Sequence, residues 1–105
     1  MLVKTPNPPY YAVIFTSKFT DETSEYEETA ALMEELASKQ NGFLGVESAR
    51  NELGITVSSC DSREAIKQWK HQTDHTFARE MGREKWYACY SLRICKVERA
   101  YDFEK

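Results

Sequence analysis

The chain has 105 residues, 41% of them hydrophobic and 30% charged, with a formal charge of −3; that is an ordinary globular mixture, long enough for one core and too short for two. The acidic balance offers no general attraction to a phosphate backbone, and no apolar run approaches the ~20 residues that span a bilayer. Nucleic acid and membrane are therefore not expected partners.

The start, Met1-Leu2-Val3-Lys4-Thr5-Pro6, has no apolar stretch ahead of a small-residue cleavage site, so a cytoplasmic chain without a secretory signal is expected. Residues 1–9 carry three prolines and read as an irregular arm. From Tyr10 to Phe19 one parity holds Tyr11, Val13, Phe15, Ser17 and Phe19, and the other holds Tyr10, Ala12, Ile14, Thr16 and Lys18. Both faces are largely apolar, as in a strand inside a sheet covered on both sides.

Over residues 21–40 the period changes. Tyr26, Ala30, Met33, Leu36 and Ala37 recur at threes and fours, with Glu22, Glu25, Glu28 and Glu35 on other faces. This predicts an amphipathic helix with an acidic outer side. Thr20, Asp21 and Ser24 are candidate caps, Ser24 with Glu27 fits a capping box, and Asn41-Gly42 supplies a stop with a left-handed glycine. The acidic run itself reads as a solvated face. Phe43–Arg50 and Gly54–Cys60, separated by Asn51-Glu52-Leu53, read as a hairpin.

A second capping signal, Asp61-Ser62-Arg63-Glu64, opens a helix with Ala65, Ile66, Trp69, Thr73 and Phe77 on one side, expected to run to about Met81 and stop at Gly82. Residues 86–97 form a long β-rich final strand. Cys60, Cys89 and Cys95 read as buried structural thiols in strands. Cys89 and Cys95 share a face but stand roughly 20 Å apart at ~3.3 Å per residue, too far to pair. No cysteine or histidine spacing gives a tetrahedral metal site, so no metal is expected.

The order is thus β-α-β-β-α-β: an α+β, ferredoxin-like domain with a four-stranded antiparallel sheet and two helices on one face. Nothing in the remaining chain covers the other face, and a bare sheet far exceeds the apolar patch that monomers expose. A homodimer through the sheet faces is the expectation.

Three stretches now take on a family likeness: Gly42-Phe43-Leu44-Gly45-Val46-Glu47-Ser48, Asp61-Ser62-Arg63-Glu64-Ala65-Ile66-Lys67-Gln68-Trp69, and Gly82-Arg83-Glu84-Lys85-Trp86-Tyr87. In order and spacing they resemble the antibiotic biosynthesis monooxygenase (ABM) family over residues 10–101, with 102–105 left as a tail. The resemblance implies a dimeric α+β barrel whose subunits each keep a pocket between sheet and helices. It also implies oxidation of an aromatic or quinol-like small molecule without a cofactor, haem degradation being the activity of another branch.

In that haem-degrading branch an Asn on the first strand, a Trp on the second helix and a His ten residues beyond the Trp act together. Trp69 fits the Trp position, Ser17 stands where the Asn would be, and Arg79 where the axial His would be. Arginine stays protonated and cannot ligate iron. The resemblance therefore favours a cofactor-free oxygenase, with a dimer of the same fold that only binds small molecules, or serves in stress, as the alternative and a haem-degrading monooxygenase as the second alternative.

Ser17, Trp69 and Arg79 are the candidate pocket residues. Trp69 shares a helical side with Ile66 and Phe77, so packing is its first role, and a flat ring at a cavity wall can serve both ends. Arg79 and Arg83 lie near a helix end where cations suit the dipole; the functional reading is that Arg79 stabilises a developing phenolate or enolate. His71 and His75 stand one turn apart, about 160° from the apolar side of a regular helix, and face solvent unless the helix breaks near Thr73-Asp74, when one could act as a general base. Arg93, on one strand face with Cys89, Ser91 and Cys95, is a further candidate that must find partners if that face is covered. Glycines at 42, 45, 54 and 82 make no phosphate-cradling loop.

Overall fold

A computed structural model describes residues 2–105, and the side chains of all of these except Thr73, Asp74, His75 and Phe77. The elements follow the order β1 (Tyr10–Phe19), α1 (Tyr26–Ser38), β2 (Phe43–Arg50), β3 (Gly54–Cys60), α2 (Arg63–His71), α3 (Thr73–Met81), a π-helical turn over Gly82–Trp86, and β4 (Tyr87–Val97). The four strands lie in the order β2-β3-β1-β4, each pair antiparallel. This is the α+β fold that the alternation of patterns predicted, with β1 and both hairpin strands within the expected bounds.

The odd-numbered side of β1 faces the helices. Tyr11 and Val13 pack with Phe43 against Cys60, Ala65 and Ile66, which joins β1, β2, β3 and α2 in one cluster. Ser62 caps α2, its hydroxyl accepting from the Ala65 N–H at 3.1 Å. On the opposite, helix-free side, Ile14, Ile55 and Arg93 share one face by register. The N-terminal arm touches part of that side, the Val3 N–H donating to the Glu47 carboxylate at 3.0 Å.

Four local expectations are corrected. Helix α1 begins at Tyr26, five residues late, after a turn in which the Ser24 hydroxyl donates to Glu22 at 2.5 Å and the Glu22 N–H donates to the Thr20 hydroxyl at 3.1 Å. Glu25 becomes the N-cap, in a left-handed conformation (φ 66°) and with no side-chain cap bond. The second helix is two helices rather than one. Gln72 leaves helical geometry (ψ 134°), and its carbonyl restarts the spiral by accepting from the Thr76 N–H at 3.0 Å and hydroxyl at 3.2 Å. The break turns the chain from the contact of α2 with β3 to the contact of α3 with α1.

Gly82, expected as a stop, instead opens the π-helical turn. That turn is tied to the β1–α1 connection, where the Thr20 N–H reaches the Trp86 carbonyl at 2.7 Å and the Thr20 hydroxyl donates to the Lys85 carbonyl at 2.6 Å. Of the three thiols, Cys60 alone is buried; Cys95 is half-buried and Cys89 exposed, because both project from β4 on the helix-free side of the sheet.

Candidate functional site

The chemistry-bearing side chains collect on the helix-facing side of the sheet, at the end where β1 finishes. Ser17, 1% exposed, is paired across the sheet with Gly54, and Gly54 with Arg50 on the next strand. Glycine in the middle leaves a gap, and the Arg50 side chain lies in it. A methyl group at Gly54 would overlap the guanidinium. Through that gap Nη2 of Arg50 donates to the Ser17 hydroxyl and Nη1 to the Ser17 carbonyl at 3.4 Å. The guanidinium carbon sits 3.7 Å above the centre of the Phe19 ring, within cation–π range.

Phe19 opens onto a group of aromatic rings. Tyr26 meets it edge-on at 4.6 Å and Tyr87 stacks on it at 5.7 Å, 18° from parallel. Tyr87 also contacts Phe15 at 5.2 Å and Tyr90 at 5.9 Å, and Tyr26 stands perpendicular to Trp86 at 5.3 Å. Tyr87 and Tyr90 are three apart and would face opposite sides of a regular strand. The register shift between Lys18 and Phe19, with Lys18 paired to Cys89 and Phe19 to Tyr87, makes Ala88 an extra residue and puts both phenols on the helix-facing side of the sheet.

Gly82 serves the same group, since a Cβ there would fall 2.7 Å from the Tyr87 ring. Trp86, 3% exposed, closes the far end and donates Nε1–H to the Ser24 carbonyl at 2.9 Å.

Burial pushes the Tyr87 phenol well above the usual tyrosine range; the hydrogen bond and the charge of Tyr26 add to this, and the Arg50 cation partly offsets it. Tyr87 is therefore a neutral hydrogen-bond donor at physiological pH, not a base. Burial first, and Asp61 second, likewise raise the Cys60 thiol, which makes it unreactive.

The rings occupy the space between sheet and helices at this end. A hollow of about 260 Å³, opening to solvent, is lined by Phe19, Tyr26 and Thr23 together with Glu25, Glu27 and Glu28. Along β4 the helix-facing side stays uncovered: Tyr90, Leu92 and Ile94 are 42%, 51% and 54% exposed. Arg83 reaches this strip and donates Nε–H to the Tyr90 hydroxyl at 3.1 Å.

Of the residues singled out from sequence, Ser17 belongs to this group, buried and bonded by Arg50. Trp69 on α2 is half-buried. Arg79 on α3 is half-buried, and its Nε is enclosed with no hydrogen-bond partner among the described residues. His71 is exposed at the end of α2, and the side chain of His75 lies outside the described residues. Arg93 is exposed on the helix-free side, opposite Ile14 and away from the ring group. Among the described residues no group of three or more His, Cys, Asp or Glu could hold a metal ion.

Sequence reasoning missed Arg50, Phe19, Tyr26 and Tyr87 as a unit. One signal was available, because a hairpin closed by Asn51-Glu52-Leu53 sets Arg50 opposite a glycine.

No family model matches the chain. It is 51% identical over 106 residues to the uncharacterised YqjZ protein of Bacillus subtilis, covering 99% of this chain and 93% of that one. Solved structures share its fold at much lower identity. Rv0793 from Mycobacterium tuberculosis superposes with a TM-score of 0.77 at 12% identity over 89% of this chain and 99% of that one. A Nitrosomonas europaea protein described as an antibiotic biosynthesis monooxygenase gives 0.71 at 12%, over 90% and 95%. SnoaB, a cofactor-independent oxygenase from Streptomyces nogalater, gives 0.74 at 10%, over 89% and 97%.

Proposed function

The chain belongs to the family of the Bacillus subtilis YqjZ protein and has the fold of the antibiotic biosynthesis monooxygenases, and from that footing we propose that it is a cofactor-independent monooxygenase acting on an aromatic or quinol-like small molecule. The observation that carries the reading is the ring group of Phe15, Phe19, Tyr26, Tyr87 and Tyr90 beside a pinned guanidinium, open to solvent along β4. Flat rings and one cation suit a planar, electron-rich substrate whose deprotonated form is the reactive species.

For an anthrone-type substrate the overall change is R₂CH₂ + O₂ → R₂C=O + H₂O. The substrate carbon supplies all four electrons, one oxygen atom enters the new carbonyl, and the other leaves as water with the two protons. The side chains contribute binding, orientation and stabilisation of the anion.

We further propose that the protein works as a homodimer through the helix-free sheet faces, in the cytoplasm. No described helix is long and apolar enough to cross a membrane. The helix-free face, which the N-terminal arm covers only in part and on which Ile55 is 43% exposed, is the surface this pairing would use.

A second reading has its own support. Within the ring group Tyr87 is held neutral and Arg50 is a cation, so neither is a base at neutral pH. A dimer that binds such molecules without turning them over fits that inventory. Oxygen uptake with anthrone and with a substituted hydroquinone decides between them. The oxygenase reading expects uptake above the uncatalysed rate, unaffected by chelator, and, with anthrone, one atom of ¹⁸O in the new carbonyl. Tight binding with uptake at the uncatalysed rate selects the binder. Haemin added separately tests the haem-degrading branch: a shifted Soret band that decays with reductant in air would overturn both readings.

A further inference from the structure

We propose that Arg50 is an anion subsite, holding a deprotonated oxygen (phenolate, enolate or carboxylate) of a planar aromatic ligand at the edge of the ring group, so that the molecules this site takes are acidic aromatics. This rests on reading the ring group as the substrate site, and it adds which chemical class that site selects.

Three features separate Arg50 from an ordinary surface arginine. Its position is set by structure: the missing side chain at Gly54 opens its path, buried Ser17 accepts two of its hydrogen bonds, and Phe19 carries its flat face. Its charge is not neutralised, for the one ion pair among the described residues joins Lys39 to Glu35. Its remaining donors are available, because a guanidinium has five N–H groups, two go to Ser17, and the residue is exposed. A pinned, planar fork with spare donors suits the two-point recognition of a carboxylate, or of a phenolate beside a carbonyl.

The neighbouring groups fit the same ligand. Tyr87 responds to the Arg50 charge and stays a neutral phenol. An O–H donor and a fixed cation thus lie on the same side of the sheet. Arg63 provides the contrast: it stands 5.4 Å from the centre of the Tyr11 ring, at the exposed start of α2, and among the described residues no buried side chain holds its guanidinium.

The test compares 1-hydroxy-2-naphthoate with neutral 1-naphthol, titrated into the full chain and into Arg50→Met, Arg50→Lys, Gly54→Ala and Arg63→Met, with melting curves as the control for folding. The wild type is expected to bind the naphthoate about 10-fold or more tighter than the naphthol, as a charge-assisted hydrogen bond implies. Arg50→Met should remove that preference and leave naphthol binding within about twofold, Arg50→Lys should keep part of it, and Arg63→Met should change neither. Gly54→Ala keeps the charge but displaces the guanidinium, and should lose the preference as Arg50→Met does; it also serves if Arg50→Met fails to fold. Equal binding of both probes by the wild type, or a preference that survives Arg50→Met or Gly54→Ala, overturns the anion subsite and leaves the ring group standing as a binding site. Failure of both probes to bind the wild type overturns the ring-group reading and the subsite with it.

Discussion

Replacing Gly82 with Ala puts the packing of the ring group to a direct test. The new Cβ would lie 2.7 and 2.8 Å from two carbons of the Tyr87 ring, where carbon contacts are relaxed at about 3.5–4.0 Å. The ring must retreat by about 1 Å to restore such a distance. It has little freedom to do so, being held by Phe15, Phe19, Tyr26 and Tyr90 at centroid distances of 5.2, 5.7, 6.1 and 5.9 Å. Overpacking of this kind costs about 1–3 kcal/mol, and the gain from Ala over Gly in a helical segment offsets about 0.5–1 kcal/mol. The backbone at Gly82 is not left-handed, so no conformational penalty is added.

A net loss of about 1–2 kcal/mol is expected, or a Tm lower by roughly 5–10 °C. Urea denaturation of Gly82→Ala, of Tyr87→Leu and of the double variant measures it. With the ring gone, Gly82→Ala should be neutral or stabilising, giving a coupling of about 1–3 kcal/mol. A Gly82→Ala protein as stable as the wild type, or a coupling near zero, refutes the reasoning.

The Tyr87 phenol titrates later in the folded chain than the ordinary value near 10; its stabilising contribution is therefore complete below that pH and is lost as the pH rises above it. Tyr87→Phe should lose stability less steeply than the wild type above pH 10, and urea midpoints that run parallel along the alkaline limb would sink the assignment. Trp86→Phe gives up the 2.9 Å bond to the Ser24 carbonyl and part of a ring that is 3% exposed, a loss of about 2 kcal/mol. An unchanged urea midpoint would show that the π-helical turn does not depend on that bond. Cys60 should react with a disulfide reagent only on unfolding, whereas Cys89, exposed on the helix-free face, should react faster as dilution dissociates the proposed dimer. A Cys89 rate independent of protein concentration argues against pairing through the sheets.

The order of elements was legible because it depends on neighbours in sequence. The both-faced apolar run of β1, the hairpin turn Asn51-Glu52-Leu53 and the capping signal at Ser62 act locally, and all three stand where the pattern puts them. Where two local interactions compete, sequence alone does not name the winner. Ser24 was a sound cap on composition, but its N–H and hydroxyl both donate to Glu22 and the helix starts after Glu25 instead. Gln72 ends α2 with no proline or glycine to announce it.

Ser17 was singled out on the strand where it belongs, but its partner and its burial could not be read from that strand alone. Arg50 reaches it across a third strand, through the space that Gly54 leaves. Tyr87 and Tyr90 join the same side only because one extra residue, Ala88, shifts the pairing of β4 with β1. A sequence read strand by strand determines what alternates and where the chain turns; which side chains meet depends on register between strands far apart in the chain, and a one-residue shift moves every side chain beyond it to the other face.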